Sequence, residues 1–76
     1  RVYVVGHSMG AAAASALALS ERDRLAAVAC IAGGPRRAQP PDVAPMLVIA
    51  AENDPIIPAA PLQRAAEASA AAGAPI

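Results

Sequence analysis

Two side chains in this sequence have the type and position to take part in nucleophilic catalysis, and the first is Ser8. It is the middle residue of Gly6-His7-Ser8-Met9-Gly10, which has the form G-x-S-x-G. The apolar run Val2 to Val5 before this turn predicts a strand, and the apolar run after it predicts a helix. A G-x-S-x-G turn between a strand and a helix is typical of a nucleophile elbow, which exposes the serine hydroxyl at the tip of a sharp turn. Ser8 could therefore attack a carbonyl carbon.

The elbow geometry predicts roles for the residues that flank Ser8. Any side chain larger than hydrogen at Gly6 or Gly10 is expected to collide with the neighbouring strand or helix. The backbone N–H of Met9 is expected to form part of an oxyanion hole, and its side chain either lines an acyl pocket or packs at the helix start. The alternative for Ser8 is a helix N-cap serine that only satisfies backbone donors. Two glycines at the elbow spacing favour the nucleophile.

The second side chain is Asp54, which follows the third predicted strand in a polar turn before Pro55. In that position a carboxylate can orient and charge-stabilise a catalytic histidine. The alternative is an ordinary turn aspartate before proline. Two other acids are weaker candidates. Asp42 precedes a strand and is expected at the wrong end of the sheet. Glu52 is too close to the end of its strand to reach outward as an acid in the following turn would.

His7 is the only histidine and Cys30 is the only cysteine. Adjacent residues on a sharp turn point in different directions, so His7 is expected to pack at the elbow and not to serve Ser8 as a base. Cys30 lies in an apolar run and is expected to be a small buried hydrophobic residue. One cysteine and one histidine exclude an internal disulfide and a Cys/His metal cluster, so no metal site is predicted.

The predicted elements that position these side chains alternate along the chain. Strands are predicted over 2–5, 25–31 and 46–51, and helices over 9–20 and 61–72, with an irregular proline-rich connection over 35–45. The order β-α-β-loop-β-α predicts an α/β fold with a parallel sheet. The apolar first strand and the first helix, which is apolar nearly all round, are expected to be covered on every side.

The last helix is predicted to be amphipathic. Pro61 fits its first turn and Gly73 fits its C-terminal cap. Its inward positions are expected to be small or apolar, and its exposed positions charged: Leu62, Ala65, Ala66 and Ala70 inward, and Arg64 and Glu67 outward.

Composition limits the classes of function. The chain has 76 residues, zero formal net charge and 57% hydrophobic residues, with no Phe or Trp. Much of the apolar content is alanine, which buries little area, so residues 1–76 are expected to be the interior part of one larger domain. No basic stripe supports nucleic-acid binding, and no stretch is long enough to span a membrane. No signal peptide is recognisable, and the localisation and oligomeric state stay open.

The Gly6-His7-Ser8-Met9-Gly10 turn, with Asp54 after a later strand, resembles the α/β-hydrolase superfamily. The resemblance covers the whole chain, from the nucleophile strand to the helix after the acid strand, as part of a family domain. More closely, the chain is similar to cutinase-like polyester hydrolases and to dienelactone-hydrolase-type esterases. Two positions differ from the usual pattern. Gly33-Gly34 stands where an aromatic residue often lines the acyl pocket, and Ala51 stands where glycine is frequent.

The resemblance implies hydrolysis of a small-molecule or polymeric carboxylic ester, with no cofactor. Ser8 would be the nucleophile, Asp54 the acid and Met9 an oxyanion donor. The catalytic histidine would follow a further strand near Ile76, and the second oxyanion donor would precede the first strand, so both are expected outside residues 1–76.

Other readings remain. One is a non-catalytic, truncated or degenerate α/β piece. Another is a thioesterase, acyltransferase, peptidase or perhydrolase on the same elbow. Nucleotide binding at Gly6 to Gly10 is disfavoured, because the run matches neither G-x-G-x-x-G nor a P-loop with its lysine.

Overall fold

A computed structural model describes residues 2–51 and 53–76 of the chain. The elements in chain order are β1 (Tyr3–His7), α1 (Met9–Ser20), β2 (Ala27–Ile31), β3 (Met46–Ile49) and α2 (Ala59–Ala71). The three strands form one parallel sheet in the order β1-β2-β3. The predicted α/β class and the β-α-β-loop-β-α order are confirmed.

The strand boundaries differ from the predicted ones because pairing between strands sets them. β1 extends through Gly6 and His7, since these residues pair with Cys30 and Ile31 of β2. The predicted five-residue turn therefore becomes a sharp turn at Ser8. At the same edge of the sheet, β3 stops at Ile49, two residues earlier than predicted, and the carbonyl of Ala51 accepts the Asp54 N–H across the next turn.

The helices follow local sequence more closely. α1 covers Met9–Ser20 as predicted. α2 begins two residues before Pro61, which suits a proline because the first N–H groups of a helix have no intrahelical acceptor. At its other end Gly73 has φ 96°. The Gly73 N–H donates to Ala70 O and the Ala74 N–H to Ser69 O, which is the Schellman arrangement predicted for a C-terminal glycine.

The core lies on one face of the sheet, between the strands and the two helices. Cys30 is fully buried there, and its Sγ lies 3.4 Å from the Ala11 carbonyl oxygen of α1. Burial raises the pKa of the Cys30 thiol, as desolvation disfavours the thiolate. The core residues are mostly small: Ala11, Ala14, Ala18, Val28, Cys30, Val43, Ala44, Met46 and Ala74.

Within the described residues the sheet is covered on one face only, and the expected coverage of both faces in a larger domain stays a prediction. The opposite face of the sheet carries exposed Tyr3, Val5 and Leu47, of which Val5 is 69% exposed. α1 is also buried along one side only, and Leu17 and Leu19 reach the surface. Both helices lie against the same face, so nothing within the described residues covers the other one.

Ser69 replaces Ala70 among the predicted inward residues of α2. Ala70 is exposed, whereas Ser69 is fully buried and lies in register with Leu62 and Ala65 on one side of the helix. The Ser69 hydroxyl donates to Ala65 O at 2.6 Å and accepts the Gln39 N–H at 2.7 Å. Through the bond from Gln39, α2 anchors the proline-rich connection between β2 and β3, which contains a single hydrogen-bonded turn, from the Val43 N–H to Pro40 O, and no helix.

No helix in the described part of the chain is long and apolar enough to cross a membrane.

Candidate functional site

Ser8 is the single residue between the end of β1 and the start of α1. Its backbone has φ 58° and ψ −119°, in a region that side-chain-bearing residues rarely adopt. Such a conformation costs about 1–3 kcal/mol and persists only where surrounding structure enforces it. Here the Ser8 N–H donates to Ile31 O at 2.8 Å, and the Ser8 carbonyl accepts the Ala11 N–H at 3.0 Å. The serine is therefore held between β2 on one side and α1 on the other.

The two glycines of the turn are not equivalent. A Cβ at Gly6 would lie 2.8 Å from Ala11 Cα and closer still to the Gly10 carbonyl group. Those are backbone atoms of α1, so a side chain at Gly6 would push the helix away from the strand. A Cβ at Gly10 would meet no other described segment within 4 Å, and the expected collision there is wrong. Gly10 lies in the first turn of α1 on the exposed side of that helix.

Gly33 is a residue of the site that the sequence reasoning missed. It follows β2, and a Cβ there would lie 3.0 Å from Ala11 Cβ and closer still to the Ser8 carbonyl oxygen. The turn after β2 thus packs directly against the elbow. The Gly33-Gly34 pair after a strand is the signal that could have indicated this close backbone approach.

Met9 is the first residue of α1, and its backbone N–H is one of the initial amides that an α-helix leaves without an intrahelical acceptor. Its side chain is 81% exposed, so it does not pack into the core. Instead it forms part of the wall of a cavity beside the elbow. The helix N-terminus at this point favours negative charge.

Asp54 lies in the turn after β3, at the same edge of the sheet as Ser8. Its Oδ1 accepts the backbone N–H groups of Ile56 and Ile57, each at 2.9 Å. The bond from Ile57, followed by that from Ile56, holds the pKa of the Asp54 carboxyl below its usual range, and the charge of His7 adds to this lowering. Asp54 is thus a carboxylate at neutral pH. One of its two oxygens is engaged by its own turn.

Of the two weaker acid candidates, Asp42 and Glu52, the structure describes Asp42. Asp42 Oδ2 lies 3.0 Å from Arg22 Nε, just beyond the C-terminal end of α1. α1 has 12 residues and is about 18 Å long at about 1.5 Å per residue, so the Arg22–Asp42 pair lies beyond the far end of this helix from Ser8. It is at the opposite end of the sheet, as expected. Glu52 lies outside the described residues.

His7 is the last residue of β1 and is exposed. Successive strand residues point to opposite faces, and Gly6 faces α1. The side chain of His7 therefore belongs to the face of the sheet that carries Tyr3 and Val5. It is near enough to Asp54 for their charges to interact, but it does not lie on the cavity side of the elbow.

A cavity of about 370 Å³ lies between the two turns. Its walls come from four segments that all meet at this edge of the sheet. The lining residues are mostly apolar, with one cation: Met9, Ala12, Gly34, Arg36, Ile56, Ile57, Pro58, Pro61 and Leu62. Met9 adjoins Ser8, and Ile56 and Ile57 bind the Asp54 carboxylate. The cavity is thus bounded by neighbours of both predicted catalytic residues, and it can hold an apolar group next to the serine.

The described part of the chain contains no cluster of side chains that could bind a metal ion. No group of three or more His, Cys, Asp or Glu side chains occurs there in a position to share one metal ion.

Comparison with known proteins bears on the whole of this arrangement. Searches of curated proteins and of solved structures gave no match. The sequence profile of the dienelactone hydrolase family, in contrast, matches residues 1–76. This family has the α/β-hydrolase fold, in accord with the parallel sheet and its flanking helices. The similarity to cutinase-like enzymes stays a prediction. With a family match over its full length and a sheet of the corresponding class, the chain belongs to the dienelactone hydrolase family and is of the α/β-hydrolase type.

Proposed function

We propose that the protein is a serine hydrolase that cleaves carboxylic esters, with Ser8 as the nucleophile. The observation that carries this proposal is the backbone of Ser8. A serine that serves only as an N-cap adopts the β region and bonds to backbone N–H groups through its side chain. Ser8 has φ 58° and makes no side-chain capping hydrogen bond. Its hydroxyl is left uncommitted to the helix at a position that is costly to maintain.

The reaction would follow the acyl-enzyme route. Ser8 Oγ attacks the ester carbonyl carbon and passes its proton to a general base, and the carbonyl oxygen becomes an oxyanion. The Met9 N–H and the N-terminus of α1 stabilise that oxyanion. Collapse of the intermediate releases the alcohol, which takes the proton from the base. Water then attacks the acyl-serine by the same steps and releases the carboxylic acid.

Asp54 is proposed to orient and charge-stabilise the base. Its lowered pKa keeps it ionised at neutral pH, as this role needs. Since neighbouring parallel strands lie about 4.8 Å apart, the ends of β1 and β3 are about 10 Å apart, with room for a third group between them. His7 projects to the other face of the sheet. The proposal therefore assigns the base to a histidine outside residues 1–76, as the resemblance implies.

The cavity beside Met9 is proposed to take the acyl group of the ester. Its walls are chiefly aliphatic, and its volume of about 370 Å³ is at the small end of the range for ligand pockets. A short or medium aliphatic acyl chain fits those properties better than a large polar one.

The test is active-site labelling of the protein as its gene encodes it. A fluorophosphonate probe is expected to label the wild-type protein, and Ser8→Ala is expected to abolish labelling and to lower the hydrolysis of p-nitrophenyl butyrate about a thousandfold or more. Ser20→Ala, at the exposed end of α1, is the matched control and should label normally. Labelling of Ser8→Ala at the wild-type level would overturn the assignment. An unlabelled wild-type protein would favour the non-catalytic alternative.

A further inference from the structure

The segment from Pro55 to Pro58 forms one wall of the cavity beside Ser8, and little packing holds it in place. Ile56 is 81% exposed, and Ile57 is only half-buried, although both line the cavity. No regular element includes these residues, which lie between the end of β3 and the start of α2. Hydrophobic burial therefore contributes little to fixing the position of this wall.

The hydrogen bonds of the segment all go to one acceptor atom. Pro55 and Pro58 have no N–H, so the segment has two amide donors, those of Ile56 and Ile57. Both donate to Asp54 Oδ1 at 2.9 Å. Hydrogen bonds to an ionised carboxylate are about twice as strong as those between neutral groups. One oxygen atom thus ties down the whole backbone of the wall.

We propose that Asp54 is a positioning residue for the acyl pocket: through Oδ1 it fixes the Ile56–Ile57 wall and so determines which acyl groups fit beside Ser8. This inference rests on the proposed function for the identity of the pocket. It assigns the two oxygens of one carboxylate to different tasks. Oδ1 shapes the pocket, and Oδ2, which makes no hydrogen bond within the described residues, is left to orient the proposed base.

Substitutions at Asp54 separate the acceptor from the charge. Asp54→Asn keeps an oxygen acceptor of the same geometry and removes the charge. Asp54→Leu has nearly the same shape without an acceptor, and Asp54→Ala removes both the shape and the acceptor, so that two acceptor-free variants are available if one does not fold. Asp42→Ala removes a carboxylate at the distant end of the sheet and serves as the matched control.

Binding is measured in the Ser8→Ala background of the protein as its gene encodes it, so that esters bind without acyl transfer. The probes are p-nitrophenyl acetate and p-nitrophenyl hexanoate. With Asp54→Asn, the affinity for each ester is expected to stay within about twofold. With Asp54→Leu and Asp54→Ala, the affinity for the hexanoate is expected to fall about tenfold, while that for the acetate changes little. Equal hexanoate affinities in the Asn, Leu and Ala variants would overturn the proposal.

Amide hydrogen exchange at Ile56 and Ile57 gives a readout that does not depend on the reaction. Exchange is expected to remain slow in Asp54→Asn and to accelerate about tenfold or more in the two acceptor-free variants. Unchanged exchange in the acceptor-free variants would also overturn the proposal. If Ser8→Ala left probe labelling intact, the proposed function would fail, yet the exchange result would still decide whether Asp54 positions the wall.

Discussion

The turns at Ser8 and Asp54, which lie at one edge of the sheet, are built in opposite ways. The turn at Ser8 is held in a rare backbone conformation by neighbouring elements: Ile31 accepts its N–H, and Gly6 and Gly33 allow α1 and the turn after β2 to approach it. The turn at Asp54 is held by its own side chain, which binds two amides within three residues. One turn is imposed by tertiary contacts and the other is formed locally.

This difference indicates how each turn can fail. A substitution that adds volume near Ser8 disturbs β1, β2 and α1 together, because contacts with β2 and α1 hold the backbone of Ser8 in its rare conformation. A change at Asp54 releases one surface segment and leaves the sheet and the helices in place. Substitutions in the turn at Ser8 should therefore change the free energy of unfolding strongly. Substitutions in the turn at Asp54 should mainly change the shape of the cavity and the pH dependence of stability.

The largest effect is expected for Gly6→Ala. The added Cβ would overlap backbone atoms of Gly10 and Ala11, which cannot move without separating α1 from β1. We expect the free energy of unfolding to fall by about 3 kcal/mol, measured from urea denaturation midpoints. Wild-type stability in this variant would show that the elbow is not held by the close approach of the helix.

Gly33→Ala tests the contact between the elbow and the turn after β2. The new methyl group would press on the Ser8 carbonyl oxygen and on the Ala11 side chain. We expect a loss of about 2 kcal/mol in the free energy of unfolding, together with slower fluorophosphonate labelling of the folded protein. A variant that is destabilised but labels at the wild-type rate would show that Gly33 supports the fold and not the geometry of Ser8.

Asp54→Asn is expected to have a smaller effect on stability, and one that depends on pH. The pKa of Asp54 is lowered in the folded chain, chiefly by the bonds from Ile57 and Ile56. In the unfolded chain an aspartate carboxyl titrates at about pH 3.9. A lowered folded-state pKa stabilises the protein above that pH, and the stabilisation is lost as pH falls through the folded-state value. Asp54→Asn should thus be less stable than wild type at pH 6, with the gap closing below about pH 4. Unfolding curves at pH 6 and pH 3 that differ equally would contradict this.

Gly10→Ala should have the smallest effect, and of opposite sign to that of Gly6→Ala. The new Cβ meets no atom of another described segment within 4 Å. Alanine also has a better helix propensity than glycine, by about 1 kcal/mol in helix interiors. We expect the free energy of unfolding to rise by up to about 0.5 kcal/mol in this first helical turn. A loss comparable to that of Gly6→Ala would mean that the two glycines are equivalent after all.

The residues that sequence reasoning could not resolve are those whose role depends on a distant segment. The pattern G-x-S-x-G treats Gly6 and Gly10 alike, and only the packing of α1 on β1 shows that Gly6 alone is crowded. Gly33 touches the elbow from 25 positions further along the chain, so no local pattern around Ser8 includes it. Similarly, the buried hydroxyl of Ser69 accepts a hydrogen bond from Gln39, 30 positions earlier in the proline-rich connection.

The covering of the sheet illustrates the same limit. Apolar composition predicted that the strands and α1 would be enclosed, yet in the described residues Tyr3, Val5 and Leu47 remain exposed on one face. Hydrophobicity records that a surface favours burial, but it does not specify which segment lies over it.

The sequence by itself determined the order of the elements, the span of α1, the glycine cap of α2 and the presence of a turn at Asp54. These depend on interactions between residues a few positions apart. The tertiary structure decided where the strands end, which glycines are required and how the cavity forms between the two turns. Those features arise from contacts between β1, β2, α1 and the turn after β3, and such contacts exist only once the parallel sheet has brought distant segments to one edge.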